Sequence, residues 1–169
     1  TTKTNREKAV WRWFKGNIDE LKDYDYIFID LSPSYDLIAR NFMLISDSII
    51  TPLEYQDIAS IRGCELFYQK FNQDLEEMEM TNEAKRAVVI NSYTNRKLSS
   101  GDIFSEYLDT FNNIKQDLLE TKISDTTIVK NAILNKMDID DYLKKMKKAH
   151  KIREEFNNFI EELLRREVL

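Results

Sequence analysis

The 169 residues contain one cysteine, two prolines, three glycines and one histidine. With Cys64 alone, neither a disulfide framework nor a paired-cysteine metal motif can form, which fits a reducing cytoplasm. His150 stands alone among lysines, so a Ser–His–Asp arrangement or a histidine-based metal site is not expected. Gly16, Gly63 and Gly101 are isolated, each in or beside a helical pattern, and nothing matches a glycine-rich loop that would wrap phosphates. There is no repeat, no low-complexity tract and no linker-like stretch. No apolar run approaches the ~18 residues of a membrane span, and no secretory signal is visible. The net charge of −5 gives no global attraction to nucleic acid or anionic lipid, so either would need a local patch.

What is present is globular: 42% apolar and 33% charged residues, enough for one domain spanning 1–169. Val10, Trp13, Phe14, Ile18 and Leu21 fall at helical spacing, which predicts an amphipathic helix over 6–21. Trp11 and Trp13 lie about 200° apart on it, so one is expected in the core and the other on a contact surface. Residues 26–29, Tyr-Ile-Phe-Ile, form an apolar β-favouring run expected to be a strand covered on both faces, followed by a helix over 37–46. A second buried strand is expected at 48–52, ended by Pro52, then a helix over 57–74. A third strand at 86–91 ends on Asn91. Ser99 or Ser100 is placed to cap a helix over 102–114. A weaker strand follows at 119–123. From Tyr142 to Leu164 an apolar stripe traces one long terminal helix, with Asp140 and Asp141 capping and charging its start. Strands alternating with helices predict an α/β fold with a mainly parallel sheet flanked by helices.

Asp30 ends the apolar run of 26–29 and is followed at once by the turn Leu31-Ser32-Pro33-Ser34. Two readings stand. The carboxylate ends a strand by accepting turn hydrogen bonds, or it lies at the mouth of a site, since ligands of parallel sheets bind outside the carboxyl ends of the strands. There it could hold Mg²⁺ through water.

The stretch YDYIFIDLSPSYDL (24–37), with Asn41-Phe42 behind it, resembles the second acidic motif of the ParA family of partitioning ATPases, where an apolar strand leads into Asp-x-Pro-Pro-Ser. Ser46-Asp47-Ser48-Ile49-Ile50-Thr51-Pro52 and Val88-Val89-Ile90-Asn91, followed by Arg96, resemble the family's next two strands. The likeness runs over about residues 20–165. Ser32 replaces the first proline of the pair, Asp36 stands where a glycine is common, and 126–131 lacks the family's proline-rich wording. The resemblance implies a P-loop NTPase-like fold that uses ATP and Mg²⁺. It makes Asp30 the Mg²⁺-linked aspartate, Pro33 and Ser34 the loop sensing the γ-phosphate, and Asn91 the neighbourhood of adenine recognition. Asn91 also fits a plain strand-ending turn residue.

It further implies that the first strand and the P-loop lie upstream of Thr1. The chain, which opens without a methionine, is therefore expected to be the C-terminal two thirds of such an ATPase and not to hydrolyse ATP alone. The complete protein would dimerise around ATP, bind DNA without sequence preference and associate with the nucleoid. A centromere-binding partner protein would stimulate hydrolysis. Lys144, Lys145, Lys147, Lys148, Lys151 and Arg153, with Arg96 and Lys97 after the third strand, are the expected DNA contacts. The same lysines also fit the solvated face of an amphipathic helix. Membrane binding is not expected, because Glu161, Glu162 and Glu167 make the helix end too acidic for anionic lipid. The alternatives are a non-enzymatic interaction module that kept the fold, and a related ATPase that positions another cargo in cell division or secretion.

Overall fold

The computed structural model describes residues 6, 8–32, 34–94, 101–146 and 150–169, and at 101–103 and 112–113 the backbone alone. Two compact units divide these residues: one takes Thr1–Ile49 and Leu66–Ala84, the other Ile50–Glu65 and Lys85–Leu169.

In the first unit, the amphipathic pattern near the N-terminus becomes two helices, α1 (Ala9–Gly16) and α2 (Ile18–Leu21). The expected single helix is interrupted at Asn17. Its side-chain amide donates to the Trp13 carbonyl at 2.6 Å, a local bond that competes with the helical ladder. Trp13 is exposed, while Trp11 is half-buried beneath the Lys15 ammonium, 4.0 Å from its ring. Helix α3 (Leu37–Met43) starts at Asp36, whose carboxylate accepts the amides of Ile38 and Ala39. It packs through Met43 and Leu44 on Phe71 and Leu75 of α4 (Ile58–Glu77), and Leu31, Tyr35, Ile49 and Phe67 complete this core.

The second unit is built on a three-stranded parallel sheet in the order β1 (Ser48–Glu54), β2 (Lys85–Tyr93), β3 (Leu118–Ser124). Helix α4 makes the crossover from β1 to β2. Helices α5 (Gly101–Asp109) and α6 (Asn112–Asp117) make that from β2 to β3. The centre strand is buried along Ala87, Val88, Val89 and Ile90, the continuous apolar run of a strand covered on both faces. Ala87 and Val89 meet Leu119 of β3 and Leu163 of the terminal helix α9 (His150–Arg165), with Val168 beyond it. Before α9 come α7 (Thr127–Leu134) and α8 (Ile139–Lys145), and Leu143 and Ile152 anchor a small satellite core with Ile128, Ile139 and Phe156. The fold is α/β with a parallel sheet flanked by helices.

Several expectations give way. Residues 26–29 form no strand: they have no regular structure, and among the described residues no strand pairs with them. Composition can favour a strand, but a strand also needs neighbours to take its hydrogen bonds. The second strand is not ended by Pro52 but continues to Glu54. Because β1 is an edge strand, a residue without an N–H is tolerated there. The expected helix over 102–114 is broken where Phe111 turns extended between α5 and α6. The single long terminal helix is likewise two, since Met146 leaves α8 in an extended conformation. Asp138 caps α8, accepting the Asp140 amide at 2.8 Å, and Asp140 and Asp141 charge its first turn rather than cap it. Ser99 and Ser100 lie outside the described residues.

Candidate functional site

The sequence-predicted residues fall into three groups. The first follows the apolar run of 26–29. Asp30 is exposed, and beyond it Ser32 and Ser34 share a hydroxyl–hydroxyl bond of 2.7 Å. Ser34 Oγ donates to Asp36 Oδ2 at 3.0 Å, while Asp36 Oδ1 accepts the Ile38 and Ala39 amides, each at 2.9 Å. The Ala39 amide above all, then the Ser34 hydroxyl, hold the Asp36 carboxyl below the ordinary carboxylate range. The aspartate that stands where a glycine is common therefore has a structural role, because it starts α3 and ties the serine loop to it.

Two further anchors fix this loop. Tyr35 Oη donates to Asp74 Oδ2 at 2.7 Å, and Arg40 reaches the same oxygen at 3.2 Å. The buried Asn41 amide donates to the Leu37 carbonyl at 2.8 Å and the Arg6 carbonyl at 3.2 Å, and its oxygen accepts the Val10 amide. Asn41 thus joins α3 to the N-terminal helix. The donors around Asp30, Ser32 and Ser34 are all oxygen, a set that suits Mg²⁺ and not a soft metal. Among the described residues, no group of three or more acidic, histidine or cysteine side chains is arranged to hold a metal alone.

The second group lies at the carboxyl ends of the sheet strands, within the second unit. The carbonyl of Asn91 accepts the Tyr55 amide at 2.9 Å, and that of Tyr93 accepts the Asp125 amide at 2.8 Å. Between them Ser92 has a φ of 54°, and the β2–β3 register slips between Ile90↔Lys122 and Tyr93↔Ser124. This is a bulge, a device that turns a strand aside and recurs beside functional sites. Tyr55 packs edge-on to Tyr93 and to Phe104, with centroids 4.8 and 5.3 Å apart, and Lys122 Nζ sits 4.8 Å from the Tyr93 ring. Gln56, at φ 65°, buries its side-chain nitrogen with no acceptor among the described residues. The aromatic pair and Gln56 went unnoticed in the sequence, where only the "Glu-Tyr-Gln" after Pro52 marks them.

The third group is the basic segment. Lys144 pairs with Asp141 at 2.8 Å, Lys151 with Glu155 at 3.5 Å and Arg153 with Asp140 at 3.7 Å, while His150 lies 3.2 Å from Glu154. The hydrogen bond from Lys144 to Asp141, reinforced by the charge of each, raises the lysine and lowers the aspartate. Lys145 Nζ lies 3.6 Å from Met137 Sδ. The run that is purely basic in sequence is thus interleaved with carboxylates in space. Pro33, Arg96, Lys97, Lys147 and Lys148 lie outside the described residues.

Sequence reasoning also missed how the sheet's β3 edge is closed. Glu162 accepts the amides of Glu120 and Thr121 at 2.9 Å each, and Glu155 accepts the Ser124 amide at 3.0 Å and its hydroxyl at 2.6 Å. The signal was available: two glutamates seven residues apart on the same face as Phe159 and Leu163. No helix among the described residues is long and apolar enough to cross a membrane.

Residues 2–85 match the family model described as an AAA domain, a P-loop NTPase-type family related to the partitioning ATPases. No curated protein matches the chain.

Proposed function

We propose that this chain is the part of a ParA-type partitioning ATPase that carries the Mg²⁺-side aspartate, the base-recognition end of the sheet and the terminal helices. The observation that carries the reading is the order of motifs, Asp30 to Ser34, then Ser46 to Pro52, then Val88 to Asn91, on a chain whose residues 2–85 match an AAA domain. Asp30, with Ser32 and Ser34, would hold Mg²⁺ through water; bound there, the ion neutralises charge on the nucleotide phosphates. Asn91 can donate to and accept from a base edge. A base at that end of the sheet would also offer the Gln56 amide an acceptor, which no described residue supplies. The phosphate-wrapping loop is not within these 169 residues and would be supplied from outside them, so the chain alone is not expected to turn over ATP.

DNA binding and a centromere-binding partner belong to the same proposal. The ion pairs of Lys144 and Arg153 do not oppose it. Both are exposed and stabilise little, so phosphates can displace their carboxylates, and the affinity would fall linearly with salt on logarithmic axes. The test is Mg²⁺-dependent ATP hydrolysis by the full-length gene product and its Asp30→Ala variant. Loss of a carboxylate that acts on transition-state charge is expected to slow turnover by roughly 10²–10³-fold. A variant that turns over ATP at the unchanged rate would refute the assignment of Asp30.

A further inference from the structure

Lys151 differs from the other cations of the basic segment in what its partner does. Its ammonium lies 3.5 Å from Glu155 Oε1. The same oxygen accepts the Ser124 hydroxyl at 2.6 Å, and Oε2 accepts the Ser124 amide at 3.0 Å. The Lys151 side chain is 66% exposed and that of Glu155 only 16%, so this line of contacts starts in solvent and ends within the fold. Ser124 is the last residue of β3. The next amide, that of Asp125, donates to the Tyr93 carbonyl at 2.8 Å, beside the Ser92 bulge. On the other flank of the bulge the Asn91 carbonyl accepts the Tyr55 amide. A carboxylate that fixes the end of β3 therefore also helps to fix the end of β2.

We propose that Glu155 is a positioning residue that couples the basic segment to the carboxyl ends of the sheet, so that a nucleic-acid phosphate taken up by Lys151 tightens the hold on Ser124. The coupling rests on the reading of the basic segment as a DNA contact and of the strand ends as a nucleotide site. Without DNA, Glu155 Oε1 is shared between an ammonium and a hydroxyl. Lys151 stands four residues before Glu155, the weaker order for a helical ion pair, which leaves it open to competition by phosphate. Drawing the ammonium outward leaves the carboxylate charge to the Ser124 hydroxyl and amide, and bonds to an ionised acceptor are the stronger ones. The phosphate also repels the carboxylate and so presses it inward, onto Ser124, rather than out to solvent. Both effects have the same sign. Lys144 and Arg153 offer no such route, because their partners Asp141 and Asp140 are exposed residues of α8. Linkage makes the coupling reciprocal: a ligand that needs the strand ends fixed favours phosphate at Lys151 by the same factor.

The test uses the full-length gene product with two probes, a short fluorescein-labelled duplex of arbitrary sequence and a non-hydrolysable ATP analogue with Mg²⁺. The readout is the ratio of the analogue's Kd without duplex to its Kd with saturating duplex. The unaltered protein should bind the analogue more tightly when duplex is present. Glu155→Gln keeps the length of the side chain and removes its charge, and should lower that ratio roughly two- to fivefold, the worth of one partly exposed ion pair. Lys151→Gln, at an exposed position, should lower it likewise once duplex is raised to saturation, whereas Lys151→Arg should keep it. Hydrogen exchange at the Ser124 amide should slow when duplex is added to the unaltered protein, and not in either glutamine variant. If Glu155 only supported the fold, its loss would weaken analogue binding equally with and without duplex; the unchanged ratio would overturn the proposal. So would analogue binding by the unaltered protein that is indifferent to duplex. An unaltered protein that binds neither probe would instead refute the nucleotide and DNA reading itself, and the coupling with it.

Discussion

Replacing Glu162 with alanine is expected to destabilise the fold by about 2–5 kcal/mol. The figure follows from what the carboxylate holds. Its oxygens accept the β3 amides of Glu120 and Thr121, both at 2.9 Å, from a side chain only 4% exposed. Alanine supplies no acceptor, and α9 still covers the edge through Phe159 and Leu163. Two donors are then left without partners, at roughly 1–3 kcal/mol each. Arg166, 3.0 Å from Glu162, loses a counter-ion as well, but its greater exposure makes that the smaller part. Glu162→Gln keeps one acceptor and turns an NH₂ group toward the second amide, so about half the loss should remain.

The carboxyl group also titrates. Burial pushes Glu162 up, but the Glu120 and Thr121 amides, the Thr121 hydroxyl and Arg166 outweigh it, leaving it below its ordinary 4.5. A depressed folded value means that the unfolded chain takes up the proton first as pH falls. The contribution is therefore complete above the ordinary 4.5 and fades as pH drops through the lower folded value. The alanine variant should lose that share of the acid sensitivity. Urea unfolding followed by circular dichroism reads the loss as a lower midpoint at unchanged slope, and hydrogen exchange reads protection at Glu120 and Thr121. A loss below about 1 kcal/mol would refute the edge-closing role, since even one orphaned donor costs that much. Amides of Glu120 and Thr121 that exchange freely in the unaltered chain would do the same.

Asp74→Ala removes the acceptor shared by Tyr35 and Arg40 and should cost about 2–3 kcal/mol in the same unfolding assay, against about 1 kcal/mol for Tyr35→Phe; equal losses would mean that Arg40 contributes nothing. Burial first, then the charges of Glu65 and Asp117, push the Cys64 thiol from 9.0 up to about 12. Its reaction with a disulfide reagent near neutral pH should accordingly be roughly a thousandfold slower than that of an ordinary exposed thiol, and become normal on unfolding. A native chain that reacts at the free-thiol rate would contradict its buried position.

The parallel sheet was legible because β2 carries its own signal: four consecutive buried apolar residues, bounded by charge on one side and Asn91 on the other. Burial of the terminal helix was legible from its stripe. What the sequence could not express were the interruptions and the partners. Asn17 looks like one more polar residue of a helix, yet its amide ends α1 by bonding the Trp13 carbonyl. Met146 continues the apolar stripe but adopts an extended backbone, and stripe periodicity, which counts faces, says nothing about where α8 ends. At the candidate site, Asp30 and Asn91 could be singled out by position. Tyr55, Tyr93 and Phe104 are far apart in sequence and meet only when β1, β2 and α5 are assembled, so no local pattern announced them.

Each sheet edge is blunted by a particular residue. On β1, Pro52 removes one N–H from the outer strand. On β3, Glu155 and Glu162 occupy the outward amides of Glu120, Thr121 and Ser124. A chain that places a proline and two half-buried or buried glutamates on its edges has the means to close them.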